Sequence, residues 1–135
     1  MSAYSLQIVT PDGLHYDGQA EKLIVRTITG DVCILARHCD YVTALGMGEA
    51  KVVFESGTVR TAACVGGMLS VTDGRVRLIP TTFEWADEID AERAERAAAR
   101  AKEQLTDRGL TPRERTMAEA RLRRAQVRIS VANRK

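Results

Sequence analysis

The residues of this chain best suited to chemistry are arginines at helical spacings, and the chemistry they suit is anion binding. In "DEIDAERAERAAARAKEQL", residues 87–105, Arg93 and Arg100 stand seven apart, about 10 Å along a helix axis at ~1.5 Å per residue. Further on, Arg124 and Arg128 stand four apart. Residues three, four or seven apart share one face of a helix, so each pair projects to one side. A guanidinium is a permanent cation with a planar fork of donors. Four of them brought together repel unless solvent separates them or an anion such as a polyphosphate lies between. Asp90, three before Arg93, shares its face. Together with Glu84, at a strand-to-helix junction, it offers acceptors for a base or ribose. From spacing alone the simpler reading is a charge-rich, solvated helix.

Other chemistries find no support. His15 and His38 are the two histidines. His38 precedes Cys39 directly, and neighbours on an extended chain point opposite ways, so a Cys-His nucleophilic pair is not expected. Ser70 has no nucleophile-elbow context. Gly66-Gly67 is followed by no lysine-serine or lysine-threonine pair, so it reads as a tight bend and not a phosphate loop. Cys33, Cys39 and Cys64 contain no CxxC pair; reduced thiols buried in strands are expected, without a metal site. No catalytic constellation emerges, and the chain is not expected to be an enzyme.

Two kinds of element must position the arginines. Up to residue 84 the chain reads as short strands punctuated by turns, with Pro11-Asp12-Gly13, Gly30-Asp31, Ser56-Gly57 and Asp73-Gly74 among the signals. Asp73-Gly74 between "MLSVT" and "RVRLI" predicts a two-residue hairpin, because both central positions tolerate positive φ. Such spacing predicts a small sandwich or barrel. After Trp85 the period changes. Ala94, Ala98, Ala101 and Leu105 form one helical seam; Ala118, Leu122, Ala125 and Ile129 form another. Gly109 is the expected stop of the first helix. Thr111-Pro112-Arg113-Glu114 starts the second with an N-cap threonine, a proline at the first position and a capping glutamate. The short connection folds the two helices into an antiparallel hairpin. Alanine seams bury roughly a quarter of what leucine seams would, at ~25 cal/mol per Å². The hairpin is therefore expected to be marginal alone, and movable.

The chain has 135 residues, 28 % of them charged, with a net charge of +2. That charge is unevenly spread: residues 111–135 carry eight basic and two acidic groups. Such a segment suits an acidic protein surface, nucleic acid or anionic lipid. Aromatics are only 4 %, which argues against a base-stacking surface. The final helix lacks Trp and Phe, which weakens a membrane-surface role. No secretory leader and no membrane span are expected.

Three stretches carry a resemblance. "IDAERA", residues 89–94, fits an I/L-D-x-x-R-A signature. "GGMLSV", 66–71, looks like a G-G-x-x-E-V strand with Ser70 in place of the glutamate. "GDVCILARHCDYVTAL", 30–45, sits where a loop with prolines and a glycine would stand, and reads Ala36-Arg37-His38-Cys39-Asp40-Tyr41 there. With the layout, these resemble the epsilon subunits of bacterial F-type ATP synthases over essentially the whole chain. The resemblance implies a ten-stranded β-sandwich, residues 1–84, followed by an antiparallel two-helix hairpin, 85–135. It implies a non-catalytic central-stalk subunit, peripheral at the cytoplasmic face of the bacterial membrane. The sandwich would bind the gamma subunit and the rotor c-ring, with contacts near Asp31, His38 and Thr43. The hairpin would extend towards the alpha and beta subunits to inhibit ATP hydrolysis. It would also hold ATP as a regulatory ligand, with no cofactor required, at Glu84, Ile89, Asp90, Arg93, Arg100, Arg124 and Arg128. The second-helix pair fits after a one-residue shift in the connecting loop. Two other readings stay open: a free-standing ATP-sensing module, and a nucleic-acid adaptor using the basic helix.

Overall fold

Tyr4, Leu6, Ile8 and Thr10 alternate with wetter residues along β1 (Tyr4–Thr10), and all four are buried. A strand with period-two burial has one face on a core. Nine more strands follow in the computed structural model, which describes residues 2–133. They are β2 (Gly13–Ala20), β3 (Lys22–Thr27), β4 (Gly30–Ile34), β5 (Tyr41–Ala44) and β6 (Met47–Val53). Then come β7 (Val59–Val65), β8 (Met68–Thr72), β9 (Arg75–Ile79) and β10 (Thr82–Trp85). They form two five-stranded sheets, ordered β2-β1-β9-β8-β5 and β10-β7-β6-β3-β4. The ten-stranded sandwich is thus the observed architecture. Leu6, Ile8, Leu23, Val25, Leu69 and Leu78 are wholly buried between the sheets. Across that core the Tyr4 hydroxyl donates to the Ile34 carbonyl at 2.8 Å, joining β1 to β4. Burial, and secondarily the charge of Cys33, holds this phenol well above its ordinary pKa.

The turns behave as their residues require. Asp73 and Gly74 both take positive φ, 50° and 75°, in the β8–β9 hairpin. Gly66 and Gly67, φ 66° and 87°, carry the chain from one sheet to the other. A Cβ on Gly67 would collide with the Ile79 carbonyl oxygen and lie 2.6 Å from Pro80 Cα. Backbone bonds knit the two sheets at this corner: Leu45 N–H to Gly67 O at 2.9 Å, Gly46 N–H to Arg26 O at 3.0 Å, and Gly66 N–H to Gly46 O at 2.9 Å. The bend role of the double glycine holds. The cysteine expectation holds for one thiol of three. Cys64 is buried, and burial pushes it up to about 12. Cys33 and Cys39 are exposed, because an edge strand and a loop leave their side chains on the wet side.

The chain divides into two compact units, to Trp85 and from Ala86. The second opens with a 3-10 turn, Ala86–Glu88, and continues as α1 (Ala91–Leu105) and α2 (Pro112–Ala132). Asp90 caps α1, its carboxylate accepting the Arg93 backbone N–H at 3.1 Å. At α2 the capping box is complete: Thr111 Oγ1 accepts the Glu114 N–H at 3.1 Å, and Glu114 accepts the Thr111 N–H at 3.2 Å. The first helix ends earlier than Gly109. It stops at Leu105 with Thr106 as C-cap, whose hydroxyl donates to Glu103 O at 2.6 Å. Gly109 lies instead in an Asp107-centred turn, its N–H donating to Oδ1 at 2.8 Å. Ala94, Ala98 and Ala101 of α1, and Ala118 and Ala125 of α2, are buried, whereas Leu105, Leu122 and Ile129 are half-buried. The seam between the helices is made of methyl groups. Arg134 and Lys135 of the basic final segment lie outside the described residues.

Candidate functional site

Small side chains at a helical seam let two backbones approach, and long side chains flanking the seam then enclose the space above it. Between α1 and α2 that space is a cavity of about 200 Å³. Ala97, Ala101 and Ala125 supply its apolar floor, and Arg100, Arg121, Arg124 and Arg128 its walls. The lining contains no carboxylate. Such a space offers guanidinium donors and no acceptor, so its complement is an anion rich in oxygen.

The capping groups and one cross-link set the register. Arg121 Nη1 donates to Gln104 Oε1 at 3.4 Å, linking α2 to α1. Counting in opposite directions from this pair, with equal rise on both helices, puts Arg100 level with Ala125, Ala97 with Arg128, and Arg93 with Ala132. Arg93 therefore stands beyond the cavity wall, on the same side of α1 but nearer its start. Of the sequence-derived phosphate-binding arginines, Arg100, Arg124 and Arg128 come together and Arg93 does not line the space with them.

The remaining members of that set are placed as follows. Asp90 is engaged as the α1 N-cap. Ile89 is buried just before it. Glu84 lies on β10 in the sandwich unit, opposite Ala63 of β7. None of the three lines the cavity. The sequence reading missed Arg121. Its signal was present, since residues 121, 124, 125 and 128 repeat at the three- and four-residue spacing of one helical stripe.

The partner-contact residues sit on the sandwich. Asp31 on β4 pairs with Arg26 at 3.5 Å, both well exposed. Thr43 on β5 lies opposite Leu69 of β8. Ile28, Val42 and Met68 are exposed apolar groups at 69 %, 61 % and 44 %. They are neighbours: Ile28 N–H donates to Ala44 O at 3.2 Å, Ala44 lies opposite Met68, and Val42 is two residues along the same strand. That is an apolar patch at one end of the sandwich, which the sequence reading did not single out. Arg37 reaches φ 65° in the loop before β5, a left-handed position filled without glycine. In the same loop Cys39 Sγ lies 4.0 Å from His38 Nδ1, closer than extended-chain geometry predicts. That nitrogen also lies 2.7 Å from the Cys39 carbonyl. A carbonyl only accepts, so Nδ1 carries the proton there and is no base for the thiol. Among the described residues no group of three or more His, Cys, Asp or Glu side chains gathers to hold a metal. No described helix is long and apolar enough to cross a membrane.

Both units match known families. Residues 3–86 match the beta-sandwich domain of the ATP synthase delta/epsilon chain, and residues 87–133 its long alpha-helix domain. Among named proteins, the ATP synthase epsilon chain of Ruminococcus albus is 42 % identical across the whole of both chains. That of an Exiguobacterium species is 35 % identical, covering all of this chain and 99 % of the other. Among solved structures, a chain of the Euglena gracilis mitochondrial ATP synthase (OSCP/F1/c-ring in rotational state 1) superposes with a TM-score of 0.84 at 22 % identity. The alignment covers 98 % of this chain and 82 % of that one. A chain from the Tetrahymena thermophila mitochondrial ATP synthase, central stalk and c-ring, gives 0.66 at 15 % identity, covering 95 % of each. At those identities the structural likeness speaks for the fold.

Proposed function

Since this chain belongs to the ATP synthase delta/epsilon family, as an epsilon subunit of the central stalk, we propose that it couples the rotor to the catalytic head and regulates ATP hydrolysis with its hairpin. It does no chemistry of its own. The sandwich takes the gamma subunit and the c-ring. Asp31, His38 and Thr43 contribute there, beside the apolar patch of Ile28, Val42 and Met68. The subunit sits peripherally at the cytoplasmic face of the bacterial membrane.

The observation that carries the regulatory half is the arginine-walled cavity between two alanine-seamed helices. ATP bound there bridges α1 to α2 through its phosphates, with Arg100, Arg124 and Arg128 donating. It binds only the closed hairpin, so it shifts the population towards that form by its differential affinity. At a free concentration one hundred times Kd the shift is about 2.7 kcal/mol. That is large beside the small burial of a methyl-lined seam. As ATP falls, the hairpin is released, and its basic second helix is drawn to acidic faces of the alpha and beta subunits.

The test is ATP hydrolysis by the catalytic head and gamma, reconstituted with the full chain or with a chain ending at Trp85. Both should bind gamma. The full chain should inhibit hydrolysis at low ATP and lose that inhibition as ATP rises, while the truncated chain should not inhibit at any ATP level. Equal rates for both chains at all ATP levels would remove the regulatory role.

A further inference from the structure

The loop between β4 and β5 holds an unfavourable backbone. Arg37 sits at φ 65° without being glycine, a conformation in which its Cβ crowds the main chain. Backbone of that kind persists only where its surroundings fix it. The chain's three prolines, Pro11, Pro80 and Pro112, lie elsewhere, so no pyrrolidine ring stiffens residues 35–40. Side-chain contacts do the work instead. Tyr41, the first residue of β5, pairs with Val71 of β8 and packs against the core. The His38 ring lies 5.7 Å from the Tyr41 ring, tilted at 55°, within the range of a favourable aromatic pair.

Asp40 reaches further than either. Its Oδ1 accepts the Asp73 backbone N–H at 3.0 Å, although 33 residues separate the two in the chain. Asp73 belongs to the β8–β9 hairpin, where its φ of 50° and the adjoining Thr72–Arg75 pair fix the direction of that N–H. The loop is thus tied to a rigid turn by the residue two after His38. It carries His38 and leads directly into the strand that carries Thr43, both assigned above to the gamma contact. A loose loop would have to be ordered on binding, and apparent affinity falls by the fraction of molecules not in the competent shape.

We propose that Asp40 is a positioning residue for partner binding: by tying the loop to the β8–β9 turn, it presents His38 in its binding position before the gamma subunit docks. It acts through the loop and not through contact of its own charge with the partner. The inference rests on the gamma-binding reading above and deepens it.

The experiment measures the affinity of the full chain for the catalytic head carrying gamma, with amide exchange on the free chain alongside. The chains are wild type, Asp40→Ala, Asp40→Asn, His38→Ala and the double variant Asp40→Ala/His38→Ala. Asp40 is exposed, so its replacement leaves the core in place, and exchange at the β1 and β3 amides confirms that each sandwich folds. Asparagine keeps a carbonyl oxygen for the Asp73 N–H and drops the charge, whereas alanine drops both. Asp40→Ala should speed exchange at the Asp73 amide and weaken binding about two- to tenfold, the range of one hydrogen bond. Asp40→Asn should recover most of both effects. Once His38 is alanine, losing Asp40 should matter little, because the residue it positions is gone. Binding by Asp40→Asn as weak as that of Asp40→Ala would mean that the carboxylate's charge meets the partner, and would overturn the positioning role. Fully additive losses in the double variant would overturn it too, as would an Asp73 amide that exchanges no faster in Asp40→Ala. Wild-type binding that Asp40→Ala leaves intact would end this inference and spare the gamma reading. A wild-type chain that does not bind the gamma-bearing head would end both.

Discussion

Arg124→Gln should push the free and ligand-bound hairpins in opposite directions. Arg124 has Arg121 three residues before it and Arg128 four after, and all three line one cavity. Like charges at these spacings destabilise a helix by ~0.2–0.5 kcal/mol per pair. Glutamine is about as good a helix former as arginine, so removing the charge should relieve two such pairs and stabilise the free hairpin by about 0.4–1 kcal/mol. In amide exchange this is a slowing of hairpin opening by about two- to fivefold. With ATP present the same change removes a charge-assisted contact of ~1.5–3 kcal/mol, a loss of about 10- to 150-fold in affinity. The assay is hydrogen exchange on the α1 and α2 amides with and without ATP, paired with calorimetry. Faster exchange in the free variant together with unchanged ATP affinity would refute the reasoning. It would mean that Arg124 holds the hairpin through its stem and has no part in anion binding.

Gly67→Ala should destabilise the sandwich by roughly 3 kcal/mol or more in denaturant melts, since it combines a left-handed backbone with a collision against Ile79 and Pro80. Thr111→Ala removes half of the α2 capping box and should cost about 1 kcal/mol of hairpin stability, read as faster amide exchange at the start of α2. In thiol titration Cys33 and Cys39 should react in the native state and Cys64 only on unfolding. Because the folded Cys64 pKa is raised from 9.0 to about 12, its contribution to stability is present below pH 9 and lost as the pH rises towards 12. Its slope is at most ~1.4 kcal/mol per pH unit, and Cys64→Ala should flatten the onset of that decline in pH-dependent melts.

Local chemistry was readable along the chain wherever one residue decides one conformation. Asp73-Gly74 announced its hairpin because few pairs tolerate two positive φ values, and Thr111 to Glu114 announced a helix start because each supplies the other's missing partner. What escaped depended on how elements meet. The cavity's membership turns on the register of α1 against α2, which the Asp107–Gly109 turn and the early stop at Thr106 set. No spacing within one helix contains that register. So Arg93, on the right face of α1, falls outside the cavity, and Arg121 falls inside it. The apolar patch of Ile28, Val42 and Met68 was hidden for a similar reason. Its members come from a turn and two strands joined at the corner between the sheets.

The most direct test of the central claim is an ATP titration of the full chain at fixed ionic strength, following the methyl signals of Ala97, Ala101 and Ala125. The account predicts saturable shifts at these three methyls, with a single affinity that Arg124→Gln weakens. Methyl signals that stay put while exposed arginines across the chain shift weakly and without saturation would contradict it.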